Sequence, residues 1–192
     1  RGMTQVLITG FEPFGGRVVN ASAILSGALA DRLATRLARG APAGRGGVAH
    51  AILPVDHAAA AEALERLVAR HRPRLVLMTG EWSGSAVRVE TVGRPSVLVP
   101  WGAARGGGRA AARAARSLRS RLPVRLSPDA GRYVCDTTFW AGLGLAPGRA
   151  ALTAAWFVHV PSDLEEAGHG RGRALVAALD GMLAAAGRAR AA

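Results

Sequence analysis

Cys135 is the only thiol in the 192 residues and so the only candidate for sulfur chemistry. It follows Gly131-Arg132-Tyr133-Val134 and opens a segment whose apolar spacing predicts a helix over 133–145. A helix start favours thiolate over thiol through its unpaired N–H groups and positive dipole end. By position alone, Cys135 reads equally as a buried structural cysteine. His159 stands near the end of the strongest apolar run, 150–160, within Trp156-Phe157-Val158-His159-Val160-Pro161. Ligands of open α/β sheets bind outside the carboxyl ends of strands, so a histidine there is placed to meet a helix-opening cysteine. Such an imidazole and thiol together suit acyl transfer through a covalent intermediate, although a lone histidine after an apolar strand more often has a structural role. A third segment, Gly10-Phe11-Glu12-Pro13-Phe14-Gly15-Gly16, sets two aromatics between turn formers. That is unusual for a solvent loop and natural for the wall of a pocket holding a flat apolar ring, or for a plug of the core. The loop lacks the spacing of a dinucleotide fingerprint, and no Gly-Lys-Ser/Thr follows for a phosphate loop.

These residues need a frame. The apolar run 5–9 reads as a buried first strand, and 21–39 carries Ile24, Leu25, Ala28, Leu29, Leu33 and Leu37 on one helical stripe. A Gly- and Pro-rich turn over 40–47 leads to a strand at 48–53, a helix at 57–70 and a strand at 74–79. The middle is less regular, with a β-like stretch at 86–92, a basic helix after Gly106-Gly107-Gly108, and a short strand at 124–126. An amphipathic helix over 169–186 closes the chain, with Leu175, Val176, Leu179, Met182 and Leu183 inward. Alternation of strands and helices predicts one three-layer α/β/α domain over 3–192 around a mostly parallel twisted sheet. Arg1 and Gly2 read as residues added ahead of Met3.

Composition narrows the function classes. No uncharged apolar run approaches the roughly 18–20 residues that span a bilayer, and no secretory pattern opens the chain, which points to a soluble cytoplasmic protein away from membranes. A lone cysteine makes no internal disulfide and fits a reducing compartment. The net charge of +12 raises nucleic-acid binding as a hypothesis. Against it, all 25 basic residues are arginine and lie scattered among alanine and glycine, as a compositional bias would leave them. The densest stretch has Arg105, Arg109, Arg113, Arg116, Arg119 and Arg121 at helical spacing, and reads first as a solvated face.

Taken together, the motifs carry a resemblance. Gly10 to Gly16 followed by Asn20-Ala21-Ser22 resembles the N-terminal signature of pyroglutamyl peptidases, G-F-x-P-F-G-G then N-P-S. Gly131 to Cys135 resembles their G-x-Y-V-C nucleophile motif, Phe157 to Pro161 their histidine motif, and Leu53-Pro54-Val55 their L-P-V. All four occur in the family's order. The resemblance implies a cysteine peptidase that hydrolyses the amide after an N-terminal pyroglutamyl residue, without metal or organic cofactor. It implies Cys135 as nucleophile and His159 as base. By alignment with the family's I-T-P-E-R-V-A segment, it implies Glu90 as the carboxylate orienting His159. Phe11 and Phe14 would flank the lactam, with Tyr133 and Val134 completing the pocket. A small peptide or acyl-amide is then the expected partner, and association as a homodimer or homotetramer stays open.

Two departures stand out. Glu81 replaces the glutamine of the family's G-Q-A-G-G-R, which puts a carboxylate near the substrate pocket. The stretch from Glu90 to Cys135 is also shorter than usual, and the arginine-bearing segment associated with the oxyanion site has no counterpart in 95–102; Trp101 and the arginine-rich helix would fill that space. A divergent cysteine acyl-transfer enzyme acting on another amide or thioester, and a non-catalytic binding protein on the same scaffold, therefore stand beside the peptidase.

Overall fold

The computed structural model describes residues 4–40, 47–95, 103–119, 123–148, 152, 154–164 and 170–188. In chain order these give β1 (Thr4–Phe11), α1 (Ala21–Gly40), β2 (Gly47–Leu53), α2 (His57–His71), β3 (Leu75–Trp82), β4 (Val87–Glu90), β5 (Val92–Gly93), β6 (Arg105–Gly106), α3 (Gly108–Arg119), β7 (Val124–Ser127), α4 (Val134–Gly148), β8 (Ala154–Pro161) and α5 (Gly170–Arg188). Six strands form one sheet in the order β2-β1-β3-β8-β4-β7, parallel at every pairing except the antiparallel β4·β8. Parallel strands covered on both faces must be apolar on both, which is how the runs in β1, β3 and β8 read.

The period of two along each strand decides what faces what. Val6 and Ile8, Leu75 and Leu77, Trp156 and Val158 join the buried faces of α1, α3 and α5 in one core. Leu7, Val76, Met78, Ala155 and Phe157 join α2 and α4 in the other. The result is the mostly parallel three-layer α/β/α arrangement expected. The same alternation carries the chemistry, because His159 lies two residues beyond Phe157 and Gly80 two beyond Met78, on the α4 side of the sheet.

Local signals explain the helix ends. Asp56 caps α2 by accepting from the Ala59 N–H at 2.8 Å, and Arg72 ends it in the left-handed region at φ 47°. Asn20 caps α1, its Oδ1 accepting from the Ser22 N–H at 2.9 Å while its Nδ2 donates to the Glu12 carbonyl. The middle of the chain departs from expectation. The stretch at 86–92 divides at Thr91, whose N–H donates to the Ser127 carbonyl at 2.7 Å, and the two-residue strands β5 and β6 form a separate antiparallel pair. Arg105 is not on the basic helix; it lies in β6, with its guanidinium 3.8 Å from the centre of the Trp140 ring. Arg113, Arg116 and Arg119 do lie on the exposed face of α3, while Ala111, Ala114, Ala115 and Leu118 are buried. Trp101, Arg121 and most of the turn expected over 40–47 lie outside the described residues.

Candidate active site

The carboxyl ends of β1, β3 and β8 open into a cavity of about 550 Å³. Seven of the residues singled out from the sequence line it: Phe11, Phe14, Glu81, Tyr133, Val134, Cys135 and His159. Glu90 is absent from this lining and fully buried. His159 Nδ1 and Glu90 Oε1 are 2.8 Å apart. A carboxylate accepts only, so the Nδ1 proton is on the histidine and Nε2 is left as the basic nitrogen. Among the described residues Glu90 Oε2 has no hydrogen-bond partner.

Cys135 sits in the first turn of α4 against the end of β3. A Cβ built on Gly80 would lie 2.9 Å from Cys135 Sγ and 2.9 Å from the Phe157 ring, so only glycine lets the thiol approach the strand this closely. The surroundings overturn the expectation of a thiolate favoured by the helix start. Burial, and then the negative charge of Glu90, push the Cys135 thiol up to about 12; its own backbone N–H pulls it down by less, and Asp136 adds to the rise. Asp136 is itself shifted upward by burial, against the Arg94 N–H that donates to it at 2.8 Å. Burial and the charge of Glu90 both favour the neutral thiol of Cys135.

This has a thermodynamic consequence. An unfolded cysteine loses its proton near pH 8.5, roughly, whereas the folded one keeps it to about 12. Preferential proton binding by the folded state stabilises it fully below the unfolded value, and that contribution is lost as pH rises towards the folded one. Between those limits the wild-type melting temperature is expected to fall more steeply than that of Cys135→Ala, as measured by thermal unfolding across the alkaline range. Identical slopes would show that the thiol is not protected from ionisation.

The two phenylalanines take different places. Phe11 is buried, 6.4 Å from the Phe157 ring, which in turn lies 5.8 Å from Phe139 and 4.9 Å from the His159 ring. It forms the floor. Phe14 is 46% exposed and Tyr133 78%, so both stand at the rim. Gly15 and Gly16 turn the loop back at φ 61° and 77°, conformations that suit glycine.

Glu81 is less free than its sequence position suggested. Its Oε2 accepts from the Ala21 N–H at 2.7 Å, at the start of α1, and its Oε1 pairs with Arg17 of the aromatic loop. The carboxylate charge inside the cavity is thus met by a guanidinium and a helix N-terminus. Asn20, Val55, Trp82, Ser83, Arg88, Asp129, Ala130 and Gly131 also line the cavity, although none of them was a candidate site residue from the sequence. Asn20, Val55 and Gly131 were legible only as members of motifs, and Trp82 and Ser83 only as departures beside Glu81; Arg88 carried no motif. No cluster of metal-ligating side chains occurs among the described residues, and no helix among them is long and apolar enough to cross a membrane.

A family model described as pyroglutamyl peptidase matches residues 4–95. The pyrrolidone-carboxylate peptidase of Gloeobacter violaceus is 34% identical over 185 residues, covering 85% of this chain and 84% of that protein. The enzyme of the same name from Thermococcus kodakarensis is 29% identical, over 85% of this chain and 84% of its own length. Among solved structures, a variant of the pyrrolidone carboxyl peptidase of Pyrococcus furiosus has a TM-score of 0.74 at 21% identity, covering 97% of this chain and 100% of that one. That last likeness is one of fold.

Proposed function

This chain belongs to the pyroglutamyl peptidase family, and on that premise we propose that it is a cysteine peptidase removing N-terminal pyroglutamyl residues, with Cys135, His159 and Glu90 as its catalytic set. The observation that carries the reading is the 2.8 Å contact of His159 with the buried Glu90, on a histidine that shares one cavity with the sole thiol.

Because the thiol rests neutral, attack and deprotonation go together: Sγ bonds to the acyl carbon as His159 Nε2 takes its proton. The imidazolium, held by Glu90, then protonates the departing amine, and the tetrahedral centre collapses to a thioester. Water attacks this thioester as Nε2 takes its proton, and the proton returns to sulfur as pyroglutamate leaves. The Cys135 backbone N–H interacts with its own Sγ and stands as a donor for the developing oxyanion. The Asp136 N–H is already given to the Tyr133 carbonyl at 3.1 Å.

Pairing of Glu81 with Arg17 supports the same substrate, since it leaves the cavity without an uncompensated charge facing a neutral lactam. The pair also ties the Phe14 loop to the end of β3. Arg17→Ala is expected to raise KM by roughly 10-fold, the value of about 1.4 kcal/mol, while leaving kcat within about two-fold, because the loop holds the ring and not the reacting atoms. Steady-state kinetics on a pyroglutamyl amide measures this; a matching loss of kcat with unchanged KM would contradict it. The function itself is tested with fluorogenic amides of pyroglutamate, proline and alanine. Turnover confined to the pyroglutamyl amide is the expected result, and a folded enzyme inert to it but active on another acyl group would overturn the substrate assignment.

A further inference from the structure

We infer that Arg88 is a positioning residue of the catalytic centre, one guanidinium joining the carboxylate behind His159 to the loop that leads into Cys135. The kinetic part of this inference rests on the peptidase reading above.

Arg88 faces His159 across the antiparallel β4·β8 pair, on the cavity side of the sheet. Its Nε lies 3.3 Å from Glu90 Oε1, the same oxygen that holds His159 Nδ1 at 2.8 Å. Its Nη2 donates to Ser127 Oγ and to the Asp129 carbonyl, the latter at 2.5 Å, and its Cζ lies 4.6 Å from the centre of the Trp82 ring on the cavity wall. Ser127 Oγ in turn donates to the Asp129 carbonyl and accepts the Asp129 N–H, so the guanidinium grips a turn already closed on itself. From that turn the chain runs through Ala130 and Gly131, both lining the cavity, to Val134 and Cys135. Gly131 has φ 86°.

The arrangement follows from charge and planarity. Glu90 is fully buried, with one oxygen shared by two donors and the other without a partner among the described residues. A planar fork can address Glu90 through one edge and the 127–129 turn through another, which a lysine ammonium cannot do at once. Fixing both ends sets the distance between the base and the nucleophile, which come from separate segments of chain. Arg88 also opposes the negative charge of Glu90 where that charge disfavours ionisation of the thiol.

The test compares wild type, Arg88→Lys and Arg88→Met, all checked for folding by thermal unfolding. On a pyroglutamyl amide, Arg88→Met is expected to lose kcat by roughly 10- to 100-fold with KM within about two-fold, and Arg88→Lys to recover part of the loss. A second readout needs no substrate. The low-field proton resonance of the His159 Nδ1–H, identified by its disappearance in Glu90→Gln, is expected to move downfield in Arg88→Met, because Glu90 Oε1 no longer divides its charge between two donors. If Arg88→Met does not fold, Arg88→Lys carries both readouts. A folded variant with kcat within about two-fold of wild type and an unmoved resonance overturns the inference, as does a rise in KM alone, which would make Arg88 a substrate contact. A wild type inert to the pyroglutamyl amide, with the resonance still displaced in the variant, would sink the substrate assignment and leave the role of Arg88 supported.

Discussion

Cys135→Ala is expected to lower turnover of a pyroglutamyl amide by on the order of 10⁴- to 10⁶-fold, the scale seen when a covalent nucleophile is removed and only binding and oxyanion stabilisation remain. The folded state should survive. Cys135 belongs to the α2·α4 core, but alanine there deletes a single sulfur and leaves the chain able to pack against Gly80 and Phe157. No second cysteine exists to take over. Among the described residues the only aliphatic hydroxyl lining the cavity is that of Ser83, and a hydroxyl without the polarisability of sulfur is a poor substitute beside the same imidazole. Initial rates with folded variant and wild type at equal concentration decide it. Loss of less than about 100-fold would move the nucleophile to Ser83 or to directly activated water, far below the effect of removing a covalent nucleophile.

Glu90→Gln should cost about 10³- to 10⁴-fold in kcat, because it attacks the tautomer and not the shape. The amide is isosteric with the carboxylate, yet its NH₂ can donate to Nδ1, which would place the ring proton on Nε2, where a base is required. It also fails to stabilise the imidazolium that forms in both half-reactions. The Glu90 side chain has no access to solvent, so no hydration replaces the lost charge. Removing that charge relieves part of the repulsion that pushes the Cys135 thiol up, so thiol ionisation should come down while catalysis falls. Alkylation of Cys135 at alkaline pH, measured beside kcat, separates the two effects. Faster alkylation with slower turnover is the expected pair; unchanged turnover would remove Glu90 from the mechanism.

The sequence was readable where the candidate site is written locally. The Phe11–Gly16 loop, the entry to Cys135 and the strand that carries His159 near its end each keep their candidate residues within a few positions of a turn or an element end, and alternation of apolar residues assigns the faces of β1, β3 and β8. What was not legible depends on distance along the chain. Arg88 meets Ser127 across 39 residues and Glu81 meets Arg17 across 64, and neither pairing leaves a local pattern. The state of the thiol was misread for the same reason. A helix start is visible in sequence, whereas the desolvation that outweighs it comes from Gly80, Phe157 and the rest of a core assembled from distant segments. Short β5 and β6 lie below the length at which periodicity carries information.

The division of the sheet into two faces makes catalysis a reporter of assembly. His159 and Arg88 reach the cavity, and Gly80 and Glu90 stand behind them, because each occupies the right parity in its own strand. A slip of β8 by a single residue against β3 would turn His159 towards the layer of α1, α3 and α5 and bring Val158 or Val160 to the thiol. Such a misregistered chain could still bury most of its apolar side chains, since both faces of these strands are hydrophobic, and would pass for native by secondary structure alone. Its specific activity would be nil. During refolding, recovered turnover per folded molecule therefore counts correctly threaded sheets, a proofreading signal that circular dichroism cannot supply.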